Sequence, residues 1–123
     1  MVFGAIDGAE HQSFGPVEID IVRVGDARMR RSIYPVGVRW SKDLKPLVGT
    51  PACLHAHVGF LAHGALAFEY ADGCRVDVTA PAVVNIAPGH DAWVVGDERA
   101  VLIEVDYQGD TVARLGVEAE HHH

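Results

Sequence analysis

The stretch ALAFEYADGCRVDVT (residues 65–79) places two short strand-like runs on either side of Asp72-Gly73. A two-residue Asp-Gly link is a tight-hairpin signal, because glycine takes positive φ freely and aspartate tolerates it. The same grammar extends in both directions. PVEIDIVRV (16–24) alternates Val17, Ile19 and Ile21 with Glu18 and Asp20, the period-two pattern of a half-buried strand. ARMRRSIYP (27–35) alternates less cleanly and ends at Pro35, and VGVRW (36–40) reads as another short strand. SKDLKPLVGTP (41–51), with two prolines and a glycine, reads as a loop. CLHAHVGFLA, AVVNIA, AWVV and RAVLIEVDY follow, and His63-Gly64, APGHD and GDER supply further turns. Only DTVARLGVEAE (110–120) has room for a helical turn or two. Short strands at regular spacing predict an all-β sandwich or barrel.

Length and charge bound the function. Residues 1–120 are expected to form one domain, and His121 to His123 read as the remnant of an affinity tag. With 17 acidic against 10 basic residues the net charge is −7. The one dense basic group, Arg28-Met29-Arg30-Arg31, sits inside a strand-like stretch, so no nucleic-acid partner is expected. No apolar run reaches the roughly 18 residues of a membrane span, which excludes a membrane helix. Two cysteines are too few for a disulfide framework, and a cytoplasmic location is the default expectation. The alternating strand at 16–24 has the character of an edge able to pair with a second copy, so a homodimer is expected.

Chemistry concentrates in CLHAHVGFLAHG (53–64). On a strand, alternate residues share a face, which puts Cys53, His55 and His57 on one side. Thiolate and neutral imidazole suit a divalent metal, with His90 available from a facing strand. The competing reading takes Leu54, Ala56, Val58, Phe60 and Ala62 as the buried face and leaves the histidines to water. A lumen wide enough for a ligand reconciles the two. His63 is assigned to a hairpin tip in solvent and His11 to a polar N-terminal segment, neither with a role. Trp40, Trp93 and Phe60 are large side chains near the strands that would line such a lumen, and HDAW places His90, Asp91 and Trp93 at the mouth of one strand. No phosphate-cradling glycine loop and no G-x-S-x-G elbow is present.

From Trp40 to Asp106, the segments RWSKDLKPLVGT, HVGFLAHGALAFEYADG and APGHDAWVVGDERAVLIEVD resemble small single-domain bacterial cupins, PGHDAWVVGDE being the most specific part. The resemblance implies a double-stranded β-helix, or jelly-roll barrel, whose lumen holds a small organic ligand or one divalent metal (Zn, Fe, Ni or Mn). Metal-binding cupins carry G-x5-H-x-H-x(3,4)-E-x6-G and then P-x-G-x2-H-x3-N. Placing His55 and His57 on the His-x-His pair drops the glutamate slot on Leu61. Anchoring on FLAHG puts His57 in the glutamate slot, and Pro51 and Cys53 in the histidine slots. In the second motif Ala87 and Gly89 take the proline and glycine slots, and Ala92 falls where histidine is expected, two residues after His90. The usual ligand set is displaced. Two functions stay open: a small-molecule-binding cupin with His57, His90, Trp93, Trp40 and Phe60 around the ligand, or a metal-dependent isomerase, decarboxylase or dioxygenase using Cys53, His55, His57 and His90.

Overall fold

The computed structural model describes residues 3–49 and 56–107. It is an all-β structure of two antiparallel sheets. The strands are β1 (Glu10–Phe14), β2 (Val17–Val24), β3 (Ala27–Tyr34), β4 (His57–His63), β5 (Ala65–Tyr70), β6 (Arg75–Thr79), β7 (Ala82–Ile86), β8 (His90–Val94) and β9 (Ala100–Asp106). The larger sheet has the order β1-β2-β3-β9-β4-β7 and the smaller β6-β5-β8. Among the described residues the two sheets are not hydrogen-bonded into a closed barrel. No helix among them is long and apolar enough to cross a membrane.

Period-two patterning decides which side chains meet between the sheets. Val17, Ile19 and Ile21 of β2, Leu61 of β4, Leu102 of β9 and Val84 and Ile86 of β7 are buried. They form one core with Leu66, Phe68 and Tyr70 of β5 and Val94 of β8. Each fully buried aliphatic or aromatic side chain of this kind contributes about 1.5–3 kcal/mol. The Asp72-Gly73 turn joins β5 and β6 through a three-residue loop, Ala71 to Gly73, closed by the Tyr70 N–H donating to the Cys74 carbonyl at 2.9 Å, where the sequence suggested a two-residue link. Gly73 has φ +88° and the Cys74 N–H donates to Asp72 Oδ1 at 2.8 Å.

Five expectations are corrected. Residues 36–40 form no strand: Pro35 and Gly37 (φ +83°) interrupt it, and only Arg39 bridges, to Trp93. The expected loop at 41–51 contains a short π-helical stretch, Trp40–Leu44, and the single-turn helix α1, Lys45–Val48. The two prolines and the glycine that suggested a loop are in part its punctuation. Pro46 suits the first turn of α1, whose missing N–H is not needed there, and Gly49 (φ +84°) ends it in the left-handed conformation. His63-Gly64 is a corner between sheets, since β4 pairs with β7 and β9 while β5 pairs with β6 and β8. Glycine is required at this corner for two reasons. Its φ is +78°, and a Cβ would lie 2.5 Å from the Arg99 carbonyl oxygen. The N-terminal segment is strand β1, paired along β2 through a turn at Gly15. Strand β2 is therefore interior, flanked by β1 and β3, and offers no free edge to a second copy. The expected helical turns at 110–120 lie outside the described residues.

Candidate functional site

A cavity of about 260 Å³ lies between the sheets. Its walls are Val17 and Ile19 from β2, Leu66 and Phe68 from β5, Leu102 from β9, and Trp40, Leu44 and Val48 from the helical segment. Arg30, His57 and His90 also reach it. His57 is at the start of β4 in the larger sheet, His90 at the start of β8 in the smaller one, and the two rings meet across the gap.

Their geometry is closely specified. The Nε2 atoms of His57 and His90 are 3.1 Å apart. His57 Nδ1 lies 2.6 Å from Glu104 Oε1, and His90 Nδ1 lies 2.9 Å from the Ala87 carbonyl oxygen. A carbonyl only accepts, so His90 Nδ1 carries a proton and donates it. One proton lies between the two Nε2 atoms and one between His57 Nδ1 and Glu104. Three protons on two imidazoles and a carboxyl group make an electrically neutral set, whichever atom holds each. The Ala87 carbonyl also accepts from the Tyr70 hydroxyl at 3.0 Å, which fixes the acceptor that orients His90. Burial raises the Tyr70 pKa above its ordinary value, and the Ala87 contact opposes that shift. Phe68 packs against both imidazoles, edge-on to His90 with centroids 5.3 Å apart.

Behind the histidines is a buried ionic layer. Glu104 and Asp106 are each 1% exposed, so their charges need partners. Strand register supplies them: Arg28 lies opposite Asp106 and Arg30 opposite Glu104. Arg28 donates to both Asp106 oxygens, at 2.6 and 2.8 Å. That contact raises the Arg28 pKa, with the Asp106 hydrogen bond as the main cause. Arg30 Nη1 is 3.3 Å from Asp106 and 3.8 Å from Glu104.

At the rim, Asp91 holds the helical segment in place. It accepts from Arg39 Nε and from the Ser41 N–H, each at 3.0 Å. The Arg39 guanidinium lies 4.3 Å from the Trp93 ring centroid and that of Arg75 lies 5.1 Å away. Asp91, placed at the strand mouth with His90 and Trp93, thus ties the helical segment to β8.

No family model, curated protein or solved structure matches the chain.

Of the residues singled out in the sequence, the structure brings His57, His90, Trp40 and Trp93 to the cavity. Phe60 is a correction: it is 42% exposed, on the face of β4 opposite His57, because residues 57 and 60 differ in parity. Cys53 and His55 lie outside the described residues. Among the described residues no group of three His, Cys, Asp or Glu side chains could hold a metal. His63 is half-buried rather than idle in solvent, with its Nδ1 donating to the Arg99 carbonyl at 2.9 Å and its Nε2 3.1 Å from Glu98. His11 sits on β1 between Asp20 and Glu18, at 2.9 and 2.7 Å. Sequence reasoning missed Glu104, Asp106 and Arg30. The usable signal was two carboxylates two residues apart in an otherwise apolar strand, matching two arginines two residues apart in another.

Proposed function

We propose that this is a small-molecule-binding domain of the cupin kind, with the ligand held between the two sheets and its polar end against His57 and His90. The cavity carries the reading: an apolar cleft on which a few oriented polar groups converge is the ordinary form of a ligand site. At about 260 Å³ it falls just below the usual range, which begins near 300 Å³, so the ligand is small. The test uses a neutral apolar fluorophore, N-phenyl-1-naphthylamine. Saturable binding at one site, lost when Ala92→Phe fills the cavity in a protein that still folds, is the expected result. Binding that survives Ala92→Phe would place the dye on the exposed Phe60 and Val83 surface and overturn the reading. The same proposal includes a homodimer, for which mass by light scattering is the test.

A second reading has its own observation. Two nitrogen ligands on a tetrahedral metal, each about 2.0–2.1 Å from it, stand roughly 3.3 Å apart. The His57 and His90 Nε2 atoms are 3.1 Å apart, and both Nδ1 atoms are anchored, one by a carboxylate and one by a carbonyl, as metal-ligating histidines usually are. The donor set fits a divalent metal held by these two residues, with Cys53 and His55 as the sequence's further candidates. A bound metal would supply Lewis acidity or redox chemistry to a small organic substrate. This chain's part is to orient the imidazoles and keep the surrounding wall apolar. Elemental analysis after metal-supplemented expression and tag removal decides it: stoichiometric metal that His90→Ala abolishes supports the enzyme, and its absence counts against it.

A further inference from the structure

We propose that the ligand is an elongated, unbranched aliphatic molecule that lies head-first in the cavity, its tail emerging between Phe14 and Val48; this rests on the cavity being a ligand site. The two ends of the cavity differ. At one end His57 and His90 are 7% and 0% exposed. At the other, Phe14 and Val48 line the same cavity and are 36% and 44% exposed. The polar end is closed and the apolar end is open. Leu47, beside Val48 and 59% exposed, carries the apolar surface on beyond the mouth.

Strand register separates these ends. His57 starts β4, and Gly59 and Leu61 follow on the same face, opposite Glu104 and Leu102 of β9. Leu102 pairs with Ser32 of β3, which pairs with Ile19 of β2, and Val17 lies two residues further on. From His57 to Val17 is thus three steps of two residues along the strand direction, about 20 Å at roughly 3.3 Å per residue. Phe14 pairs with Val17 at that far end. A Cβ at Gly15 would lie 3.3 Å from both Leu44 and Leu47, which sets the β1–β2 turn against the helical segment that carries Val48. The smaller sheet runs the same way: Tyr70 pairs with His90, Phe68 with Ala92 and Leu66 with Val94, so its wall also passes from imidazole to aliphatic. A compact guest held at the histidines would leave Phe14 and Val48 in water. A chain covers both, and each methylene it buries strengthens binding.

Straight-chain alcohols from 1-hexanol to 1-dodecanol test this by displacing N-phenyl-1-naphthylamine, since a hydroxyl head both donates and accepts, as the imidazoles do. Displacement is expected to strengthen about fourfold per added methylene while the chain still gains wall. The compact alcohol 1-adamantanol should be at least tenfold weaker than 1-decanol, which has the same carbon number. Val48→Ser and Phe14→Ser, both at exposed positions, should weaken 1-dodecanol severalfold more than 1-hexanol. A gain that stops at 1-octanol, or 1-adamantanol displacing the dye as well as 1-decanol, overturns the open-ended arrangement and leaves the cavity reading intact. A loss in both mouth variants that is equal for 1-hexanol and 1-dodecanol overturns it too. Failure of the dye to bind, or of every alcohol to displace it, overturns both readings. Should neither variant fold, the comparison of 1-decanol with 1-adamantanol on the unaltered protein decides by itself.

Discussion

Replacing Glu104 with alanine removes the acceptor of the His57 Nδ1 contact at 2.6 Å and a carboxylate 3.8 Å from Arg30, at a position 1% exposed. Breaking a buried ion pair by deleting one partner costs about 3–5 kcal/mol. Arg30 keeps Asp106 at 3.3 Å, so the lower end, about 3 kcal/mol, applies. At roughly 4 °C per kcal/mol for a domain of this size, the melting temperature should fall by about 12 °C. Glu104→Gln keeps the shape and one carbonyl acceptor for His57, so about 1 kcal/mol and 4 °C are expected. Differential scanning calorimetry of the two variants beside the parent measures both numbers. Dye titration should show weakened cavity binding in Glu104→Ala, because His57 loses the group that orients it. A melting temperature within about 3 °C of the parent for Glu104→Ala would show that the carboxylate anchors nothing.

Gly59 lies where β4 passes β9 so closely that a Cβ would clash with the Ile103 carbonyl oxygen and sit 2.8 Å from Glu104 Cα; Gly59→Ala should therefore cost more than about 4 kcal/mol and be recovered largely unfolded, read by circular dichroism and soluble yield. Hydrogen bonds to Asp20 and then Glu18 raise the His11 pKa above 6.5, so its stabilisation is complete below that value and fades as pH rises through the higher folded one. Glu18 is lowered from 4.5, chiefly by Ser13 and then His11, and Asp20 from 3.8, chiefly by His11 and then Arg31; their share is present above those values and fades as pH falls. His11→Gln should accordingly flatten the decline of melting temperature as pH rises above about 6.5. His63→Ala removes a donor to the Arg99 carbonyl at a half-buried position, so about 1 kcal/mol of stability should go while dye binding in the cavity is unchanged.

Much of the strand content was legible because it rests on local chemistry. Alternation in VEIDIVRV and the Asp72-Gly73 turn each needs only neighbouring residues to specify it; parity put His57 and Phe60 on opposite faces, but turning His57 inward also took the expectation of a lumen. Phe60 shows the limit of inspection rather than of parity, since the same rule that buries His57 exposes residue 60. What failed depends on partners distant in sequence. His63-Gly64 carries a hairpin signal, yet β4 finds β9 and β5 finds β8, so the glycine serves a corner. Strand β1, reading EHQSF, has no buried side chain of its own and is held by its pairing with β2. Glu104 and Asp106 look like solvent-facing residues until the register sets Arg30 and Arg28 opposite them. The site is legible as a pair of histidines, but the carboxylate, the carbonyl and the arginine that set their chemistry enter only with the tertiary fold.

The imidazole contact ties one β-layer to the other, His57 belonging to the six-stranded sheet and His90 to the three-stranded one. A small molecule bound as proposed would touch both layers at once and so favour their staying together. Folding and occupancy are thereby linked: a guest at a hundred times its dissociation constant adds about 2.7 kcal/mol to the unfolding free energy. Heat resistance thus becomes a reporter of what the cavity accepts, and a library of small acids, alcohols and metal salts can be ranked by it before any reaction is known.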